Sequence, residues 1–296
     1  MPNWVANTVK VEDLNAVVGK FIRKPTQEEL EENQFLSDYI VDFNLLKPVP
    51  TDLTNTIAGS YEWQTDKYGF GFNTKKINLQ NSEIKPILDN LYDNSMTQEE
   101  FINAVENTYK DTTNLNKFIV IYDVNTENTT LDETKNHVRN VLKGYYNIRK
   151  YGEKNWYDWQ VKNWGTKWNG CDTCVNGDDN TISFNTAWSC PIEILQELSK
   201  ITDVVVSFAD EDTGNNYGIF KISKGEIEVI LDDTNHSIGE SMACRFNDFE
   251  TIEEDYCEDN YSDEEIQEYF KTDRETLINN AYEDYNKVSN LLSTLI

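Results

Sequence analysis

Between Trp4 and Val11 apolar Val5, Val9 and Val11 alternate with polar neighbours, which predicts a first strand. Leu14, Val17, Val18, Phe21 and Ile22 then fall at helical spacing, so a helix is expected over Glu12–Lys24. Thr26 and Glu29 stand three apart, the spacing at which a hydroxyl and a carboxylate cap each other's backbone, and start a helix through Leu30. Phe43–Pro50 reads as a strand ended by two prolines, and Thr51–Asn81, rich in Gly, Asn, Thr and aromatics, as loop or hairpin. Thr97 with Glu100 and Thr130 with Glu133 repeat the capping spacing ahead of two amphipathic helices, the first carrying Phe101, Val105 and Tyr109, the second Val138, Val141, Leu142 and Tyr145. Between them the short, β-branched run Phe118–Tyr122 predicts a strand.

Strand character returns at Ile182–Trp188, and Pro191 opens a helix bearing Ile194, Leu195 and Leu198. Val204–Phe208, Tyr217–Ile222 and Glu226–Leu231 predict three more strands, with Ser223-Lys224-Gly225 as the hairpin link between the last two. Ser262 with Glu265 caps a helix holding Ile266, Tyr269 and Phe270, and Leu277, Ala281, Tyr285, Val288 and Leu292 keep helical spacing to the end. Strands and helices in this order make an α+β protein, without an internal repeat of fixed period.

Charge changes the picture most. The 296 residues include 53 acidic and 26 basic side chains, a net charge of −27, so the molecule repels nucleic acid and anionic membrane and draws a basic partner. No stretch approaches the roughly 20 apolar residues of a membrane helix, and Met1-Pro2-Asn3-Trp4 lacks the pattern of a signal peptide. A cytoplasmic protein is expected. Five cysteines, an odd number in a chain that can build a core of its own, argue for reduced thiols.

Asn163-Trp164-Gly165-Thr166-Lys167-Trp168-Asn169, preceded by Trp156-Tyr157-Asp158-Trp159, is the most distinctive block. Together with the Met1-Pro2-Asn3-Trp4 start, Phe43-Asn44 leading to Pro48-Val49-Pro50, and Phe184-Asn185-Thr186-Ala187-Trp188-Ser189 ahead of Pro191, it resembles the YubB-like family of phage and plasmid proteins. The resemblance spans residues 1–50 and 150–230 and implies a ferredoxin-like sandwich and a mobile-element origin. It implies no iron–sulfur cluster, because the name describes a fold. The domain layout expected from it is a ferredoxin-like core from 1–55 and 146–240, an inserted, divergent middle region over 56–145, and an acidic C-terminal helical extension over 241–296.

Candidate chemistry is sparse. Cys171-Asp172-Thr173-Cys174 has the spacing of half a zinc site, but neither a second such cysteine pair nor a paired-histidine motif is present; Cys190 and His236 could in principle complete it, and a loop with two incidental thiols is the expected reading, with no metal and no cofactor. His137 and His236 are the only histidines, both expected at the surface, and no phosphate-binding glycine loop or calcium loop occurs. No catalytic residue is assigned, and the protein is read as a non-enzyme.

Two binding surfaces compete. Glu250–Glu268 holds ten acids and no Lys or Arg, and a row of carboxylates can imitate a row of phosphates. The expected partner-binding surface is Glu253, Glu254, Asp255, Tyr256, Glu258, Asp259, Tyr261, Asp263, Glu264, Glu265 and Glu268, the tyrosines serving as amphipathic anchors. On this reading the chain is a phage- or plasmid-encoded anti-defence protein of the host cytoplasm. It blocks a host immune nuclease or DNA-binding complex of restriction, CRISPR or Gabija type by mimicking DNA charge, and a homo-oligomer is compatible with it. The alternative is a single-stranded nucleic-acid-binding accessory protein of phage replication. Lys135–Trp168 carries eight basic residues against two acids, and Lys143, Arg149, Lys150, Trp156, Trp159 and Lys167 would form that surface. The whole-molecule field disfavours it, and tryptophans that staple the core account for the same residues.

Overall fold

The computed structural model describes residues 3–34, 36–56, 88–108, 131–211, 216–232 and 262–295, without the side chains of 131–138 and 141. Its strands are β1 (Trp4–Val11), β2 (Ile22–Arg23), β3 (Ile40–Val41), β4 (Cys171–Asn176), β5 (Thr181–Ala187), β6 (Val204–Asp210), β7 (Tyr217–Ser223) and β8 (Glu226–Leu231). Its helices are α1 (Leu14–Val17), α2 (Gln27–Glu32), α3 (Thr51–Thr54), α4 (Gln98–Thr108), α5 (Leu131–Tyr151), α6 (Trp156–Trp164), α7 (Ile192–Leu198), α8 (Asp263–Tyr269) and α9 (Arg274–Leu295). The chain divides into two compact units, Met1–Pro48 with Gln160–Ile296, and Val49–Trp159.

The first unit is built on an antiparallel sheet ordered β4-β5-β1-β6-β7-β8. Its first four strands, with α7 joining β5 to β6, follow the split βαββαβ order of a ferredoxin-like domain, and β7 and β8 extend one side as a meander. The central strand β1 buries every second residue, Val5, Asn7, Val9 and Val11, which is the alternation that its sequence predicts. On that face Phe184 of β5 meets Phe21 and Phe43 edge-on at 5.9 and 6.0 Å, and Phe43 meets Trp164 edge-on at 5.5 Å. The opposite face at β6–β8 is covered by α9, whose Val288 and Leu292 pack with Ala209, Tyr217 and Ile219. The fold is α+β and ferredoxin-like.

One helix and one strand expectation fail in this unit. The helix over Glu12–Lys24 is one turn, α1, because Gly19 takes φ +75° and turns the chain so that Phe21 and Ile22 enter the core in an extended segment paired with β3. The strand over Phe43–Pro50 is a 3₁₀ turn at Phe43–Leu45, started by Asp42, whose carboxylate accepts the Asn44 amide at 3.0 Å, and pinned where the Phe43 amide donates to Asn169 Oδ1 at 2.9 Å. The strand lies just ahead, as β3.

In the second unit the capping box forms as its spacing predicts: the Glu100 amide donates to Thr97 Oγ1 at 3.3 Å and the Thr97 amide to Glu100 Oε2 at 2.8 Å. Phe101, Ile102 and Val105 of α4 bury against Leu142, Tyr145 and Tyr146 of α5. The tyrosine hydroxyls find acceptors at the rim: Tyr145 donates to Asp89, Tyr146 to the Met96 carbonyl at 2.6 Å, and Tyr151 to Asp52 at 2.6 Å. The strand expected at Phe118–Tyr122 lies outside the described residues, as does most of the segment read as loop over Thr51–Asn81, whose described start is instead the one-turn helix α3 at Thr51–Thr54.

Candidate functional site

Most of the Trp164–Trp168 block is structural. Trp164 is 1% exposed and its indole N–H donates to the Lys47 carbonyl at 2.8 Å. Gly165 sits at φ +81°, where a Cβ would run into the Glu193 carboxylate and lie 3.0 Å from the Ile192 amide nitrogen, so both the backbone angle and the space exclude a side chain. Thr166 is buried and donates to the Ala187 carbonyl at 2.7 Å, while Ser189 donates back to the Gly165 carbonyl. Asn163–Thr166 thus fastens the end of α6 to the end of β5.

The block's last two residues face outward. Lys167 Nζ stands 4.2 Å from the ring centre of Trp168, a cation on an aromatic face, and the Trp168 ring lies 6.3 Å from that of Trp4. Trp188, at the end of β5, is 54% exposed and adopts φ +74°, unusual for a bulky residue. It is held there by its amide, which donates to the Asn3 carbonyl at 2.9 Å, and by its carbonyl, which accepts from Asn216 Nδ2 at 3.3 Å. Among the described residues Trp168 and Trp188 are the exposed tryptophans, while Trp159 and Trp164 are buried.

The rest of the basic, aromatic surface lies in the second unit and is largely occupied. Lys143 and Trp156 are half-buried. Lys150 donates to Tyr146 Oη and to the Met96 carbonyl at 3.2 Å and lies over the Tyr146 ring at 5.0 Å, and the Tyr146 hydrogen bond raises its pKa. Arg149 is exposed, 3.6 Å from Asp89 and over the Tyr92 ring at 5.4 Å. Lys150 is taken up in the packing of this unit by the rings of Tyr146 and Tyr151, and Trp159 is buried.

Of the acidic surface, Glu253, Glu254, Asp255, Tyr256, Glu258, Asp259 and Tyr261 lie outside the described residues. Asp263, Glu264, Glu265 and Glu268 are exposed on α8, which Ile266 anchors by complete burial. Two of the four also serve the helix. Glu265 accepts from the Ser262 amide at 2.9 Å, which holds its carboxyl below the usual range, and Asp263 pairs with Arg274 at 2.9 Å. Carboxylates in the first turn also favour the positive end of the helix.

The two spaced thiols are on a strand rather than in a loop, a correction to the sequence reading. A bulge in β4, with Asp172 at φ +50°, makes Cys171 register with Asn185 and Cys174 with Ser183, so both project from the same face. The Cys171 thiol donates to Asp172 at 3.4 Å and to the Asn185 carbonyl at 3.7 Å, and burial followed by the Asp172 charge pushes its pKa up to about 12. Cys190 is buried and its thiol is pushed well up by desolvation. His236 lies outside the described residues, as does the side chain of His137. Among the described residues no group of three or more His, Cys, Asp or Glu could hold a metal ion, and no helix is long and apolar enough to cross a membrane.

Residues 163–274 match the model of a family described as the ferredoxin-like domain in Api92-like protein. The match begins at the Trp164 block, takes in β4 to β8 and α7 to α8, and leaves out the central strand β1. Among solved structures, the crystal structure of the protein api92 from Yersinia pseudotuberculosis is similar at 10% identity over 77% of this chain and 98% of that chain, with a TM-score of 0.30. No curated protein matches the sequence. The name carried by these likenesses is Api92-like rather than YubB-like, and the family model supports a ferredoxin-like domain.

Proposed function

We propose that the chain works by binding, not by catalysis, and that its acidic surface occupies the DNA-binding groove of a basic partner, a host nuclease or DNA-binding complex of the restriction, CRISPR or Gabija type. The observation that carries this is α8, a capped helix that displays four exposed carboxylates, Asp263, Glu264, Glu265 and Glu268, on a molecule of net charge −27. A carboxylate row on a rigid helix can offer a cationic groove what a phosphate row offers, and salt weakens the pairing in either case. The phage or plasmid origin in this reading comes from the resemblance of the Trp164 block to the YubB-like family.

The test titrates purified nucleases of these three types with the chain in the presence and absence of duplex DNA. The expected result is binding that DNA competes away, that falls steeply with salt, and that is lost when Glu253, Glu254, Asp255, Glu258, Asp259, Glu264 and Glu268 are neutralised in a variant of unchanged circular dichroism. Equal binding by that variant sinks the reading.

A second reading rests on Lys167, Trp168 and Trp188 at the surface, which suit base stacking. Salt-sensitive quenching of tryptophan emission by oligo(dT), removed in Trp168→Ala with Trp188→Ala, would favour it.

A further inference from the structure

The two edges of the six-stranded sheet are treated differently. At β4 the edge is blunted: the bulge at Asp172 disturbs it, and the segment of β3 lies along it, with Ser37 donating to the Thr173 carbonyl and the Val41 amide donating to Thr173 Oγ1 at 3.0 Å. At the other end, β8 pairs with β7 alone among the described residues, in regular register from Glu226 to Val229, and the register shifts only beyond that stretch, between Val229 and Leu231. Its sequence, Glu-Ile-Glu-Val-Ile-Leu, has neither the lysine nor the proline that commonly blunts an edge, and Ile227 and Val229 are 41% and 55% exposed.

The hairpin fixes what this edge offers. Lys224 and Gly225, at φ +51° and +87°, form a two-residue turn of the primed kind, and Ser223 faces Glu226 across it. In such a hairpin the flanking pair exchanges hydrogen bonds, so Glu226 and Glu228 direct their backbone groups to β7, and Ile227 and Val229 direct theirs outward. The register places Ile227 beside Ile222 and Val229 beside Phe220, so the exposed apolar side chains share one face, and Glu226 and Glu228 share the other. Among the described residues, the backbone groups and the apolar groups left open on β8 belong to the same two residues.

We infer that β8 is a docking edge that accepts an extended, basic segment of another protein as a seventh strand, apolar residues against Ile227 and Val229 and Lys or Arg beside Glu226 and Glu228. Charge chooses this occupant. A second copy of the chain would bring −27 against −27 and set glutamates near glutamates, whereas an alternating cationic strand is complementary on both faces. The inference goes beyond the acidic-helix reading and stands on different residues.

The test uses the full chain and a blocked hexapeptide, Lys-Val-Lys-Val-Lys-Val, with Glu-Val-Glu-Val-Glu-Val and Lys-Lys-Lys-Val-Val-Val as controls. The alternating lysine peptide is expected to bind at least about tenfold more tightly than either control and to slow amide exchange at Ile227 and Val229 but not at Glu226 and Glu228. Val229→Pro removes an outward N–H without touching the β7 ladder and should abolish both effects. Val229→Lys, which keeps the N–H and the fold but repels the peptide, should weaken binding by about tenfold or more. Glu264→Gln with Glu268→Gln should leave peptide binding unchanged, which separates this edge from α8. Three results overturn the inference: unchanged exchange at Ile227 and Val229, equal binding by Val229→Pro, or exchange already slow in the free chain, with sedimentation telling a second copy from the chain's own residues as the cover.

Discussion

The cores of the two units are assembled from different aromatics. In the first, Phe21, Phe43, Phe184 and Trp164 meet edge to face or stacked with nothing polar among them but one indole N–H, which the Lys47 carbonyl takes. In the second, Phe101 stacks on Tyr145 at 5.7 Å and leans on Tyr146 at 6.0 Å, and each tyrosine carries a hydroxyl that must be satisfied where the ring ends. A cluster of phenylalanine rings depends on shape alone. A tyrosine core also depends on acceptors placed at its rim, here Asp89, Asp52 and the Met96 carbonyl, and so joins packing to charge.

The largest effect that sharpens this contrast is Phe184→Ala. The side chain is 2% exposed and touches two other rings, so its loss leaves a cavity and should cost about 3–5 kcal/mol in denaturant unfolding. Tyr145→Phe in the second unit keeps the ring and deletes only the hydroxyl facing Asp89, and should cost about 1–2 kcal/mol, read in the same way. A cost as large as that of the Phe184 change would mean that hydrogen bonding, not packing, dominates there. The smallest effect is one of pH. Arg23 holds the Glu29 carboxyl down to about 2, so the folded state is favoured above the ordinary value near 4.5 and loses that contribution as pH falls from there through about 2. The pair is partly exposed, so the loss is at most about 1 kcal/mol, and Glu29→Gln should flatten the acid limb of the stability curve by that much.

Legibility followed locality. The three capping boxes that the described residues allow to be seen, at Thr26, Thr97 and Ser262, form where hydroxyl and carboxylate stand three apart, because a cap needs nothing from elsewhere in the chain. Likewise β1 and β5 were readable from alternation. The helix expected through Phe21 and Ile22 failed because both residues suit either period, and the choice was made by Gly19 and by β3, about 20 residues away. The strand β4 was hidden by its own bulge: Cys171 and Cys174, three apart, face the same way, so the alternation that marks a strand is broken. For the candidate surfaces, sequence supplied the residue types but not their exposure. Trp164 and Trp168 are four apart in one block, and only the tertiary partners Phe43 and Lys47 decide that one is core and the other surface.

The order of strands has a consequence for biosynthesis. The sheet's central strand leaves the ribosome first, yet Trp4 pairs with Ala187 and Val5 with Asp210. At roughly 5–20 residues per second, β1 waits on the order of ten seconds or more for either neighbour to be made. During that interval Val49–Trp159 emerges, and because it forms a compact unit it draws the ends of the intervening chain together more than a structureless loop of the same length would. The nascent protein thus carries the alternating strand β1 unpaired until β5 has been made, which leaves Val5, Val9 and Val11 open to non-native association for that interval.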